Sequence, residues 1–247
     1  SKRIVEVLER QFPDFDGLNL THEVRQGLAK HQTLYDQQKK KIVGKTLEAQ
    51  VVDLADEIAY HNHDLDDGLR SRLFTMKDLE KLPLWREARE EVSEKYGSKV
   101  DLVIVRRRTV SKLISLMIQN VLETAAKNIF RARLKNMDAV LRQKKNLVVF
   151  SPDFERKVSG LRRFLWNRMY QSPRVLKHSQ KGQRVIRVLF RKFMKHPELM
   201  PKQRNRLSKS RLLATVVKDY IAGCTDQYAL ELAIDENLPY AMSKVQT

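Results

Sequence analysis

The sequence predicts an all-α, multi-helical fold, and three observations carry that prediction. Apolar residues recur at the i, i+3, i+4 spacing of amphipathic helices along most of the chain. Only 8 Gly and 7 Pro occur in 247 residues, too few for the tight turns of an all-β design. No two alternating apolar–polar runs are joined by hairpin residues. Hydrophobic residues at 42% and charged ones at 32% suit a soluble, helix-rich globular chain, long enough for one large or two modest domains.

Ile4, Val5, Leu8 and Phe12 predict a first helix, closed by Pro13 and Gly17. It opens at the first residue without a cap, as a domain cut from a longer chain would. Thr21 caps a second helix, which carries Val24 and Leu28 inward and ends near Lys30 and His31. Residues 32–45 are polar, basic and without period, which predicts an exposed loop. Thr46 caps the central helix, residues 47–73, with Gly68 as the point of a bend or interruption. Thr75 and Asp78 stand at capping-box spacing before a short helix. Leu84 to Tyr96 follows, stopped by Gly97.

The strongest periodicity comes next: Val110, Leu113, Ile114, Met117, Ile118, Val121, Leu122 and Ala125 mark a buried helix with Arg106, Arg107 and Arg108 at its entrance. Ile129 to Leu141 continues in a weaker register. Leu147 to Phe150 reads as a short strand or a packed connector. Ser151-Pro152 and Ser172-Pro173 each pair a cap with a proline at the first helical position. Leu212 to Ile221, broken by Gly223, and a helix from Asp226 complete nine or ten helices.

The charge is uneven. Residues 101–220 hold 30 Lys and Arg against 7 Asp and Glu, whereas the whole chain carries a formal +18. Such a surplus favours polyanionic partners such as nucleotides, nucleic acid or an acidic subunit, beside the simpler alternative of a solvated basic surface. No apolar run is long enough to cross a membrane. No secretory leader opens the sequence, and a single cysteine, Cys224, excludes an internal disulfide, so the cytoplasm is the expected compartment.

Chemistry concentrates in the central helix. Steps of four lead from Asp56 to Tyr60 and on to Asp64, which stacks two carboxylates and a phenol along one helical column. His63-Asp64 offers the residue types of a metal site. However, Asp56 lies roughly 10–12 Å away along the helix at 1.5 Å per residue, beyond what bonds of about 2 Å can bridge. A HExxH helix, a phosphate loop and a nucleophile elbow are all absent.

The run EAQVVDLADEIAY followed by HDLDDGLRS resembles the bacterial deoxyguanosine triphosphate triphosphohydrolases and their dNTPase-like relatives in the HD-domain superfamily. The stretches RIVEVLERQFPDFDGLNLTHEVRQGLAKH, SPDFERKVSGLRRFLWNRMY and DYIAGCTDQYAL agree with it, in order, over nearly the whole chain. The resemblance implies hydrolysis of a deoxynucleoside triphosphate to deoxynucleoside and tripolyphosphate, with a divalent metal ion such as Mg or Mn as cofactor. It implies Asp56 as a metal ligand, with Tyr60 and Asp64 facing the deoxyribose. Arg106 and Arg108 become expected triphosphate contacts, because arginine forks suit phosphate oxygens.

The family's first His, its His-Asp doublet and its catalytic His and Glu have no counterpart here; in the family they precede the stretch that begins at Ser1. The chain by itself is therefore expected to be inactive. The resemblance also implies a homo-oligomer. It divides the chain into residues 1–97, part of an HD catalytic domain, and residues 98–247, a basic helical domain completing the nucleotide pocket. The competing reading is a non-enzymatic basic module that binds nucleic acid, single-stranded DNA included, or an oligomeric partner.

Overall fold

In the computed structural model, residues 2–28, 44–97, 99–201 and 212–234 are described. Among them the architecture is all-α: the one β-type pairing is an isolated bridge between Arg10 and Gly17. The chain divides into two compact units, Ser1–Met169 and Tyr170–Thr247. None of the described helices is long and apolar enough to cross a membrane.

The first unit opens with a π-helical turn, Ile4–Leu8, shorter than the periodicity through Phe12 predicts. Glu9 is already extended, and the chain folds back so that Gly17 N–H reaches Glu9 O at 2.8 Å and Leu18 N–H reaches Val5 O at 2.8 Å. This close approach needs glycine. Gly17 has φ of 82°, and a Cβ there would lie 2.6 Å from Val5 O.

Helix α1 (His22–Leu28) follows Thr21, and α2 (Leu47–Arg70) starts at Thr46, whose hydroxyl accepts the Ala49 N–H at 3.2 Å. The expected end of α1 at Lys30-His31 and most of the basic loop after it lie outside the described residues. Helix α2 continues through Gly68 to Arg70, so the helix is not interrupted there. The missing Cβ serves packing instead: one placed there would meet Phe74 Cζ at 2.1 Å. The Phe74 ring, 2% exposed, lies against the helix and makes an edge contact with Phe164.

The capping box at Thr75 and Asp78 forms with both reciprocal bonds and starts α3 (Met76–Leu79). Helix α4 (Pro83–Tyr96) ends at Gly97 with φ of 77°. Helix α5 (Leu102–Ala132) is capped by Asp101, so Arg106, Arg107 and Arg108 sit more than a turn inside it rather than at its entrance. It also takes in Ile129, then stops at left-handed Arg133 (φ 46°), and α6 (Met137–Leu141) is a separate short helix.

Helices α2, α4, α5 and α7 (Pro152–Leu165) pack on one another around Leu65, Leu84, Trp85, Leu113, Met117, Val158 and Leu165, each almost fully buried. Burying side chains of this size contributes about 1.5–3 kcal/mol each. A second π-helical turn, Trp166–Tyr170, extends α7.

The second unit holds α8 (Pro173–Lys195), α9 (Leu213–Ala222) and α10 (Asp226–Ile234). Val185, Leu189 and Phe193 of α8 bury against Val216, Val217 and Tyr220 of α9 and Ala233 of α10. The Ser172 cap of α8 is in place, with its hydroxyl accepting the Val175 N–H at 3.3 Å.

Candidate functional site

The site forms where the middle of α2 faces the connector before α7 and α7 itself. Residues 147–150 bend at Leu147 and Val148 and pair with no strand among the described residues; side-chain amides hold them instead. Gln50, 2% exposed, accepts the backbone N–H groups of Leu147 and Val148 at 2.7 and 3.1 Å. Its own amide donates to Lys45 O at 2.9 Å. From α5, Asn128 donates to Leu147 O at 2.9 Å, and Asn120 accepts from Ser151 N–H at 2.9 Å. In this buried stretch, side chains stand in for the strand partner that would otherwise satisfy these backbone groups.

Between this connector and α2 lies a cleft of about 630 Å³. Asp56 and Tyr60 both line it, as the column read from the sequence predicts, and both are exposed to it and to solvent. Tyr60 keeps 51% of its surface and sets its ring edgewise to His61 at 5.6 Å. Asp64 is half-buried and does not line the cleft. Each step of four residues overshoots a full turn by about 40°, so Asp64 is rotated roughly 80° from Asp56.

Arg106 and Arg108 lie elsewhere as well. Arg106 Nε pairs with Asp66 Oδ1 at 3.1 Å, and the Arg108 guanidinium stands over the Tyr96 ring at 5.9 Å. Neither lines the cleft.

The cations of the cleft are two that periodicity does not reveal, Lys45 and Arg162. Lys45 Nζ meets Asp53 Oδ2 at 2.5 Å. Arg162 of α7 directs Nε at 2.9 Å, and also Nη2, onto Glu57 Oε1, while its Nη1 holds Glu155 Oε1. Burial works against the Arg162 charge, but the hydrogen bonds to Glu155 and Glu57 outweigh it and hold its pKa above the usual value. Glu155 and Arg162 lie two turns apart on one face of α7, a spacing visible in the sequence; Glu57 is 105 residues distant and is not.

Behind the wall, His61 is 9% exposed, with Nδ1 3.8 Å from Glu57 Oε1. Desolvation lowers its pKa below the ordinary 6.5, against the pull of the Glu57 carboxylate. Burial there favours the neutral imidazole.

Four carboxylates and two cations line the cleft. That balance suits a cation and a neutral sugar better than a bare triphosphate. Asp56 offers a carboxylate oxygen, a donor type that hard divalent cations take. Among the described residues no group of three or more His, Cys, Asp or Glu side chains is arranged around a common point. The donors here therefore fit one ligand of a metal site.

Residues 148–234 match the phosphohydrolase-associated domain family. That span runs from the cleft connector through α7 to the end of α10. A deoxyguanosinetriphosphate triphosphohydrolase-like protein of Geobacter metallireducens is 38% identical over 94% of this chain and 61% of its own length. The protein of the same name from Geobacter sulfurreducens is 37% identical over the same shares. One from Leptospira interrogans is 34% identical over 93% of this chain and 62% of its own length. The chain is thus similar along nearly all its residues to deoxyguanosinetriphosphate triphosphohydrolase-like proteins, and it spans about 61% of the length of the first of these relatives.

Proposed function

We propose that this chain supplies part of the active site of a metal-dependent deoxynucleoside triphosphate triphosphohydrolase, which converts a dNTP and water to deoxynucleoside and tripolyphosphate. The observation that carries the reading is Asp56 and Tyr60 side by side on the wall of one net-acidic cleft. Asp56 gives one carboxylate oxygen to a divalent metal ion such as Mg or Mn, whose other ligands come from the part of the family's length that this chain does not span. When bound, such an ion polarises a phosphoryl oxygen or lowers the pKa of water.

The chain's own residues do the positioning. Tyr60 presents its phenol to the deoxyribose 3′-hydroxyl, whereas Asp64, proposed from sequence for the same sugar, stands outside the cleft lining and would reach it only from beyond the cleft edge. A ribonucleotide's extra 2′-hydroxyl is disfavoured beside Tyr60. Glu57, gripped by Arg162, sets the rotation of α2 that turns Asp56 and Tyr60 to the cleft. The triphosphate draws on cations beyond the cleft wall, Arg106 and Arg108 being those proposed from sequence.

The test is Asp56→Ala in a chain extended to the full length of its relatives. Tripolyphosphate release from dGTP should fall to background, with the helical circular dichroism spectrum unchanged. Metal-dependent turnover retained in that variant overturns the ligand assignment. Tyr60→Phe in the same background should narrow the preference for dGTP over GTP.

A further inference from the structure

Helix α8 carries eight Lys and Arg in its 23 residues and no Asp or Glu. Their positions are ordered. With about 100° of rotation per residue, Lys177, Lys181, Arg184, Arg191 and Lys195 fall within roughly 80° of arc. Lys177, Arg184, Arg191 and Lys195 are exposed and Lys181 is half-exposed. None of the five makes an ion pair with a described carboxylate, in contrast to Lys157 and Arg162 of α7, which hold Glu87 and Glu57. At 1.5 Å per residue the stripe runs about 27 Å. It is anchored, because the adjoining face of α8 buries Val185, Leu189 and Phe193 in the core of the second unit.

We propose that this stripe is a docking surface for the phosphate backbone of double-stranded DNA, independent of base sequence. Its shape is a ridge, the flank of a helix, and a helix of about 10–12 Å diameter matches a B-form major groove of about 12 Å. Within the stripe Lys177 and Lys195 lie along the middle, Lys181 on one edge and Arg184 and Arg191 towards the other, so cations are available to phosphates on both walls.

Single strands call for a different surface, a groove with aromatic rings on which bases stack. On α8 the two aromatic rings are withdrawn: Phe193 is buried and Phe190 packs against the same core. An RNA duplex has a major groove too deep and narrow for a helix. An anionic membrane would need apolar side chains exposed between the cations. Of the exposed apolar residues of α8, Ile186 lies opposite the stripe, and Leu176 and Met194 lie beyond its edge, about 60° past Arg191, rather than between its cations. The site thus reads charge and duplex form, with no element aimed at bases.

The experiment titrates the chain into labelled, unrelated DNA duplexes of about 20 base pairs and follows fluorescence anisotropy, starting near ~50 mM salt. Binding should be independent of sequence, and four to five neutralised phosphates should cost roughly 10²–10³-fold in affinity between about 50 and 200 mM salt. Combined Lys177→Glu, Lys181→Glu, Arg184→Glu and Arg191→Glu should weaken binding at least about tenfold. Gln at the same four positions gives a variant with milder charge change and retained helix propensity, and it should lower the salt slope. The control reverses four exposed cations of the first unit, Arg131, Lys135, Lys144 and Lys145, and should leave binding within about twofold.

Single-stranded DNA or duplex RNA bound as tightly as duplex DNA overturns the proposal. So does a preference for anionic vesicles, a control that weakens binding as much as the α8 variants, or no binding at low salt. Because dGTP hydrolysis is not the readout, failure here leaves the catalytic reading intact, and the Asp56 test leaves this one intact.

Discussion

Gln50 and Leu147, 97 residues apart, are joined by a 2.7 Å hydrogen bond from the Leu147 backbone N–H to the Gln50 side-chain oxygen. The same oxygen takes the Val148 N–H, so one buried amide docks the connector that forms one wall of the cleft onto the helix that forms the other. Replacing Gln50 with Ala strands two buried donors, each costing about 1–3 kcal/mol. Expected is a loss of about 2–4 kcal/mol in urea unfolding, whereas Gln50→Glu, which keeps an acceptor, should lose less than half as much. Equal losses in the two variants would show that the acceptor is not what matters.

Gly68→Ala tests packing. Ala usually stabilises a helix relative to Gly by about 1 kcal/mol. Here the new methyl would lie 2.1 Å from Phe74 Cζ and 2.2 Å from Cε1, a hard overlap with the ring edge. A destabilisation of about 1–3 kcal/mol is expected, as for other overpacked cores. Phe74→Leu in combination should recover part of it; a Gly68→Ala chain as stable as the parent would contradict the close fit of ring to helix.

The fork of Arg162 on Glu57 should be cooperative. A double-mutant cycle with Arg162→Lys and Glu57→Gln is expected to give a coupling of about 0.5–2 kcal/mol, tempered because the pair is partly solvated. Lys keeps the charge but not the planar fork. A coupling of zero would mean that the bidentate geometry contributes nothing to how α7 grips α2.

His61 predicts a pH dependence of stability. Burial holds its folded pKa below the ordinary 6.5. Between the folded and unfolded values the unfolded chain binds more protons, so stability rises with pH across that window. It is lost as pH falls below about 6.5. Chemical unfolding measured across this range should show a shallower slope for His61→Gln than for the parent. Identical slopes would assign the dependence to other groups.

Local chemistry was legible. The caps at Thr46, Thr75 and Ser151 need only a side chain and an N–H three residues on, and each forms where the sequence puts it. Helix ends set by distant contacts were not. The first turn stops at Glu9 because residues 17 and 18 return to bond it, and Gly68 stays helical because Phe74 fills its face. Likewise, the spacing of Asp56 and Tyr60 announced a shared wall. Periodicity along one helix could not place Arg162, which reaches the cleft from α7, or show Arg106 engaged by Asp66.

By itself the sequence determined the all-α class, the caps, the buried faces, and the neighbourhood of Asp56 and Tyr60. These follow from helical geometry within a few turns, where position along the chain and position in space are nearly the same thing. Tertiary structure alone decided which cations share the cleft, where Asp64 turns away, and how a strandless connector stays buried. Those depend on groups about a hundred residues apart meeting at hydrogen-bond distance, as Gln50 meets Leu147. No local period encodes such a meeting.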